Sequence, residues 1–166
     1  MNAIDYSSQT YPNNSVDLMV CIFLEPTEQG ASFYEWPLHI TLASWFKLEN
    51  KNFDRFLDQV DHLAKYSLPI KLITGQPIRL GHKKSRIGLS IDFNERLNKL
   101  HNDLIDLIDT YGKIKDDQFI KDKYLPHITL KQSTLILPGS ELNVNRFYLV
   151  SKSKDSYRHV TRIIKP

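Results

Sequence analysis

The tetrapeptide HITL occurs twice, at 39–42 inside WPLHITLASW (36–45) and at 127–130 inside YLPHITLKQS (124–133). A proline lies within two residues before each histidine. Because a repeated tetrapeptide can arise by chance in a chain of 166 residues, its weight rests on its chemistry. Each copy places an imidazole and a hydroxyl two residues apart in an apolar, β-forming run. The repeat therefore predicts two similar strands that carry the same polar pair.

Side chains on a strand alternate between its two faces. His39 and Thr41 therefore share one face, as do His127 and Thr129, while the isoleucine and leucine of each copy point the other way. The apolar face can pack against a helix, which leaves the His/Thr face directed at whatever lies between the two strands. Two such strands related by a pseudo-two-fold axis bring two imidazoles and two hydroxyls into one cleft.

Strand and helix patterns alternate along the rest of the chain. Residues 1–16 are polar and predict a loosely held arm, and Asn50 or Asn52, Asn94 and Gly112 are the predicted helix caps. The apolar patterns predict strands over 17–26, 38–46, 68–81, 86–93, 144–153 and 157–165, and helices over 52–66 and 94–111. Each half holds one HITL strand and one helix, so we interpret the chain as one domain, 1–166, with an imperfect internal duplication.

Composition narrows the class of protein. With 41% apolar residues the chain can close a sizeable core, and a net charge of +3 permits an anionic substrate without the strong excess typical of nucleic-acid-coating proteins. The single cysteine, Cys21, lies in an apolar run and predicts a buried thiol. The N-terminal residues show no basic targeting region, and no apolar run is long enough to span a bilayer. We expect a cytoplasmic, monomeric protein without a membrane or DNA partner.

Two facing imidazoles suit acid–base catalysis at neutral pH. One can take a proton from an attacking oxygen while the other gives a proton to a leaving oxygen, and the hydroxyls can donate hydrogen bonds to phosphate oxygens. The motifs H-x-H, H-E-x-x-H and C-x-x-C are absent, as are a P-loop and G-x-G-x-x-G. These patterns predict a metal-free phosphodiester site with no cofactor and give no support to ATP-driven ligation.

The two H-x-T motifs in a domain of this size resemble the 2H phosphoesterase superfamily, and LPHITL resembles the second motif of its 2′-5′ RNA ligase/cyclic phosphodiesterase branch. The resemblance implies an α+β fold: a single bilobal domain of two pseudo-symmetric halves, each an antiparallel sheet plus helix, around a central cleft. It implies catalytic roles for His39, His127, Thr41 and Thr129, and no metal. Many members have arginine close after the second motif, where this chain has Lys131 and Gln132.

Further residues are candidates for substrate contact. Lys131 falls on the His127 face by strand parity, and Tyr124 and Trp45 flank the motifs as aromatic rings that can stack on a base. A third H-x-T, His159 and Thr161 in RHVTR, is interpreted as part of a closing edge strand whose arginines border the cleft. His62 and His101 are predicted to be structural or solvated, and the basic turn at 81–86 to be solubilising or to steer a polyanion.

The sequence therefore predicts a metal-independent phosphodiesterase for RNA ends or small nucleotides. Its substrate is a 2′,3′-cyclic phosphate end, a 2′-5′ linkage, or a small cyclic or 2′-5′ oligonucleotide, with 2′-5′ ligation as the reverse reaction. Two alternatives stay open at this point. One is a non-catalytic RNA- or nucleotide-binding module that uses the same cleft, and the other is a histidine-rich metal sensor.

Overall fold

The computed structural model describes residues 14–166, within which the chain forms ten strands and two helices. In chain order these are β1 (Ser15–Phe23), β2 (Ser32–Phe33), β3 (His39–Glu49), α1 (Phe53–Ser67), β4 (Ile70–Leu80), β5 (Arg86–Ile91), α2 (Glu95–Tyr111), β6 (Gly112–Ile114), β7 (His127–Thr129), β8 (Glu141–Val144), β9 (Phe147–Lys152) and β10 (Arg158–Ile164).

One antiparallel sheet connects all the strands, in the order β2-β10-β9-β1-β3-β7-β5-β4-β8, with β6 paired to the far end of β3. The two strands that carry HITL, β3 and β7, are neighbours near the middle of this order. Each half of the chain supplies one of them, so the two motifs meet inside the sheet. The α+β class and the arrangement of sheet and helices predicted from the sequence are confirmed.

Both helices pack on one face of the sheet. Their buried residues recur every three or four positions, as the sequence pattern predicts for an amphipathic helix. The main core combines these residues with the alternate strand positions: Phe56, Val60 and Ala64 of α1, Leu97, Leu100, Leu104 and Ile108 of α2, and Ile40, Leu42 and Ile128 of the two HITL strands. The apolar face of each motif is thus committed to the core, as strand parity predicts.

A second, smaller apolar cluster covers part of the opposite face. Met19, Cys21 and Phe23 of β1 pack there with residues of β9 and β10, beneath the segment that precedes β3. Burial raises the pKa of the Cys21 thiol, so this cysteine is the buried core residue that the sequence predicts. This apolar cluster lies beside the first HITL motif on that face of the sheet.

Several details differ from the sequence prediction. The predicted arm falls largely on residues 1–13, outside the described part, but Ser15 already belongs to β1. Asn52 stands at the start of α1 yet its side-chain oxygen accepts no capping bond, since a 3-10 turn precedes the helix. Its side chain is turned elsewhere, and Nδ2 donates to the Tyr111 carbonyl at 2.8 Å. The strand predicted over 144–153 is observed as β9, and only its first residue, Val144, belongs to the preceding β8.

The end of α2 shows why a glycine is needed at its predicted cap. Asn94 accepts a hydrogen bond from the Leu97 amide at 3.0 Å and begins the helix as predicted. Gly112 follows the last helical residue with φ −146°, which is extended backbone. A Cβ atom there would lie 2.5 Å from the Lys47 carbonyl oxygen. Gly112 therefore permits the close approach of β6 to β3.

Candidate active site

The register between β3 and β7 brings the four motif residues together. Ile40 pairs directly with Ile128 in an antiparallel ladder. Counting one residue outward on either side places the first histidine opposite the second threonine and the first threonine opposite the second histidine. Directly opposed Cβ atoms in such ladders lie about 4.5–5.5 Å apart and diagonal ones about 7–8 Å apart. The two imidazoles therefore stand on one diagonal of a four-residue cluster, and the two hydroxyls stand on the other.

A backbone carbonyl orients each histidine. Nδ1 of His39 bonds to the Pro37 carbonyl at 2.8 Å, and Nδ1 of His127 bonds to the Leu125 carbonyl at 2.8 Å. A carbonyl can only accept a hydrogen bond, so Nδ1 carries the proton in both rings and Nε2 is the nitrogen left for a substrate. The same clamp, made to the residue two positions earlier, serves both motifs.

The prolines before the two histidines help to position these clamps. Pro37 contributes its own carbonyl, and its ring fixes its φ angle near −65°. Pro126 lies between Leu125 and His127 and restricts Leu125 to extended conformations, which holds the accepting carbonyl in place. The prolines that recur beside HITL thus have a structural reason.

Electrostatics distinguishes His39 from its partner. Burial lowers the pKa of His39, and the positive charges of His127 and Lys131 lower it further, against the opposing effect of the Pro37 carbonyl. His39 is therefore neutral at pH 7. Lys131 lies two residues beyond β7 in an exposed turn closed by Thr134, and its charge reaches the cleft despite that position.

Aromatic rings pack against His39 on the side away from β7. Trp36 contacts it most closely, with ring centroids 4.5 Å apart, and Phe23 lies edge-on at 6.4 Å. Trp45 is partly buried in the second apolar cluster and meets Trp36 edge-on at 6.2 Å. The tryptophan ring that contacts His39 is that of Trp36, and Trp45 contacts Trp36 in turn. The contact of Trp45 with substrate stays a prediction.

A bulge interrupts the first motif strand. Val20 is opposite Ala43 and Cys21 is opposite Thr41, so Leu42 has no partner on β1. An unpaired bulge residue needs another hydrogen-bond partner for its backbone when it is buried.

His101 of α2 supplies that partner. Its Nδ1 donates to the Leu42 carbonyl at 2.6 Å, and its Nε2 accepts from the Lys121 amide at 2.9 Å. Burial lowers the pKa of His101, with a further contribution from the charge of Lys121. The residue is thus a neutral, buried structural histidine, which is one of the two states the sequence predicts.

Tyr124 completes this connection between the motifs. Its ring stacks on His101 with centroids 3.7 Å apart and planes 1° apart, and its hydroxyl donates to the Thr41 carbonyl at 2.8 Å. Burial raises the pKa of this phenol. One face of the ring is therefore occupied by His101, which gives Tyr124 a supporting position, and its contact with substrate stays a prediction. We call His101 and Tyr124 the brace.

Strand β5 adds groups to the same face that the sequence did not single out. Ser90 is the register partner of His127 on β5, and its hydroxyl donates to the Gln76 carbonyl at 3.2 Å. Only the pairing of β5 with β7 reveals this proximity. The basic turn at 81–86 begins β5, so it lies at the same end of the sheet as Lys131.

The third H-x-T lies apart from this cluster. His159 bonds through Nδ1 to the Ser32 hydroxyl at 2.6 Å, and Thr161 is buried. β10 is one strand in from the edge because β2 pairs with it, which corrects the prediction of an edge strand. Of its two arginines, Arg162 pairs with Asp61 at 3.0 Å, whereas Arg158 lies over the Trp36 ring.

A cavity of about 390 Å³ opens between the end of β1 and the connection from β8 to β9. Pro26, Asn143, Arg146 and Tyr148 are among its lining residues, and it shares Phe23 with the surroundings of His39. None of the four motif residues lines it. The candidate site is consequently defined by its side-chain geometry, and this cavity is a separate feature.

Two further properties concern the described residues only. Within 14–166, no three histidine, cysteine or carboxylate side chains lie close enough together to hold a metal ion. Across the same range, neither helix combines the length and apolar character needed to cross a membrane.

Comparison with known proteins assigns the family. The model of the 2′-5′ RNA ligase superfamily matches residues 24–155, a span that contains both HITL copies and ends before the third H-x-T. The chain therefore belongs to the 2′-5′ RNA ligase superfamily, within the 2H phosphoesterases, and the resemblance inferred from the motifs is confirmed. No curated protein matches the sequence significantly.

Solved structures share the fold at low identity. A phosphoesterase is 17% identical with a TM-score of 0.61, over 91% of this chain and 99% of its own. E. coli LigT complexed with NADP+ is 16% identical with a TM-score of 0.62, over 92% and 98%. E. coli LigT complexed with 3′-AMP is 18% identical with a TM-score of 0.57, over 90% and 92%. These likenesses support the fold across nearly the whole chain.

Proposed function

We propose that the protein is a metal-independent phosphodiesterase that cleaves RNA-type phosphodiesters. The candidate substrates are 2′,3′-cyclic phosphate ends, 2′-5′ linkages, and small cyclic or 2′-5′ oligonucleotides. One observation carries the proposal: two histidines with identical carbonyl clamps each keep Nε2 free, on one diagonal of a cluster whose other diagonal holds two hydroxyls. Both motif strands come from one chain, so a monomer suffices for activity.

We infer that His39 is the base and His127 the acid, from the lowered pKa of His39. His39 is neutral at pH 7 because burial and two nearby positive charges lower its pKa, so its Nε2 can accept the proton of an attacking oxygen. As the new P–O bond forms and the bond to the leaving oxygen breaks, Nε2 of His127 donates a proton to that oxygen. After these steps His39 carries the extra proton and His127 has lost one, so one net proton transfer from His39 to His127 restores the enzyme. The same steps in reverse give 2′-5′ ligation.

Thr41 and Thr129 are suited to stabilise the charge on the phosphate. Their hydroxyls can donate hydrogen bonds to the two non-bridging oxygens, which gain negative charge in the transition state. Lys131 adds a point charge on the same side, since its field already reaches His39. A lysine lacks the bidentate fork of arginine, so its contribution is to substrate affinity more than to orientation.

The bound ligands of structurally similar proteins support nucleotides as the substrate class. E. coli LigT has been solved in complexes with NADP+, 3′-AMP and ATP. A mildly basic chain with Lys131 and the basic turn near the cleft is compatible with such anions.

A substrate panel tests the proposal. The protein is incubated with EDTA and 2′,3′-cyclic nucleotides, 2′-5′ and 3′-5′ dinucleotides, and cyclic oligonucleotides, and products are separated by chromatography. We expect turnover of at least one 2′-linked substrate that EDTA does not reduce. Tight binding without product would instead support the binding module. Activity that EDTA abolishes and a divalent metal restores would refute a metal-independent mechanism.

A further inference from the structure

Arg158, the first residue of β10, makes one side-chain hydrogen bond and no ion pair within residues 14–166. Its guanidinium carbon lies 5.6 Å from the centre of the Trp36 ring, and Nη1 donates to the Tyr34 carbonyl at 2.7 Å. Its Nε is buried and has no hydrogen-bond partner within residues 14–166. No carboxylate of that range lies within ion-pair distance of it, whereas Arg162 on the same strand pairs with Asp61. A guanidinium is permanently charged and carries five N–H donors, so Arg158 is equipped to bind an anion.

Trp36 connects this arginine to the candidate active site. The Trp36 ring contacts both Arg158 and His39, and the sum of the two distances, about 10 Å, is an upper limit on their separation. Arg158 is therefore close to the cleft without belonging to the four-residue cluster of the two motifs.

Two exposed tyrosines lie beside Arg158. Tyr34 is 63% exposed and Tyr157 is 47% exposed, and their rings meet edge-on at 5.8 Å. Arg158 binds the backbone of the first and follows the second in the chain. Aromatic rings left in solvent next to a cation are typical of sites that stack a nucleobase and bind its phosphate.

We propose that Arg158, Tyr34 and Tyr157 form a subsite for the nucleotide next to the scissile phosphodiester. We call these three residues the Arg158 subsite, and the inference rests on the proposed function. Arg158 takes the neighbouring phosphate and the tyrosines stack on the base. The preferred substrate then contains at least two linked nucleotides, since a cyclic mononucleotide fills only the cleft between the two histidines.

A comparison of two substrates tests the subsite. kcat/KM is measured for a 2′-5′-linked dinucleotide and for a 2′,3′-cyclic mononucleotide, with wild type, Arg158→Ala and Tyr157→Ala. Loss of one base stack, or of one hydrogen bond to a charged phosphate, is worth about 1–3 kcal/mol, roughly a 5- to 150-fold change in affinity. We expect each variant to lose at least fivefold more on the dinucleotide than on the mononucleotide, mainly through KM. Equal losses on the two substrates, or none on the dinucleotide, would overturn the subsite.

Arg162→Ala is the matched control, because it removes the same charge from the same strand away from Trp36. It should not change the ratio of the two kcat/KM values. If Arg158→Ala fails to fold, Tyr157→Ala, at an exposed position, still decides the outcome.

Calorimetric binding of the dinucleotide separates this inference from the proposed function. If wild type turns over neither these two substrates nor any other member of the panel, the phosphodiesterase proposal fails while the subsite remains measurable. Dinucleotide binding that weakens at least fivefold in Tyr157→Ala supports the subsite. No binding to wild type, or binding unchanged in that variant, overturns it.

Discussion

Replacing His101 with leucine should both destabilise the fold and disturb the first motif. His101 donates a hydrogen bond to the carbonyl of Leu42, the bulge residue of β3 that has no partner on β1. It also accepts from the Lys121 amide and stacks on Tyr124. Leucine keeps most of the volume and removes both hydrogen bonds and the stack. The substitution therefore isolates the polar contribution of the brace from simple loss of volume.

The expected cost follows from what is left unpaired. The Leu42 carbonyl belongs to a buried residue, and an unsatisfied buried acceptor costs about 1–3 kcal/mol. The Lys121 amide belongs to an exposed residue and can bind water instead, so it adds little. Loss of the ring stack adds about 0.5–1.5 kcal/mol. We expect His101→Leu to lower the free energy of unfolding by about 2–4 kcal/mol.

Denaturant unfolding at pH 7.5 and at pH 5 checks both the size and the cause. Burial lowers the pKa of His101 in the folded state, so below about 6.5 the unfolded chain binds more protons and wild type loses stability. The leucine variant lacks this proton uptake, and its deficit relative to wild type should narrow at pH 5. His62→Leu on the exposed side of α1 is the control and should change stability by less than about 0.5 kcal/mol. A deficit below about 1 kcal/mol, or one equal at both pH values, would refute the structural role of His101.

Three other substitutions test separate parts of the site. Lys131→Gln removes a positive charge that lowers the pKa of His39, so the acidic limb of the kcat/KM–pH profile should move to higher pH; an unmoved limb would place Lys131 outside the cleft. His159→Ala should keep turnover within about threefold, and a loss of the size expected for catalytic histidines, about 100-fold or more, would make the third H-x-T functional. Gly88→Ala places a Cβ 2.8 Å from the Ile128 carbonyl oxygen, so it should cost about 1–3 kcal/mol and lower kcat; an unchanged melting temperature would show that β5 and β7 separate easily.

Local patterns in the sequence were sufficient for both helices, for seven of the ten strands and for the faces of the motif strands, but not for the short strands β2, β6 and β8. Alternation placed Ile40 and Ile128 in the core, and the structure buries both completely. The helical spacing of apolar residues predicted α1 and α2 within two residues at each end. These features depend on neighbours in the chain, which is why a single sequence contains them.

Features that depend on distant residues could not be predicted in the same way. The bulge at Leu42 and its pairing with His101 join residues 59 positions apart, and no periodicity marks either. Nor does any motif indicate that Ser90 is opposite His127, since strand order decides it. Asn52 shows the converse: its type favours a capping role, but its side chain makes a tertiary hydrogen bond to the Tyr111 carbonyl and no capping bond.

Substitution of the two histidines, singly and together, is the most direct test of paired acid–base catalysis. Turnover of the best substrate from the panel is compared among wild type, His39→Ala, His127→Ala and the double variant, after circular dichroism has shown that all four fold. Acid and base serve one transition state, so each single substitution should lower kcat by about 100- to 10,000-fold, and the double variant should be scarcely slower. A single variant that keeps more than about a tenth of the wild-type rate, or losses that multiply in the double variant, would contradict paired acid–base catalysis by His39 and His127.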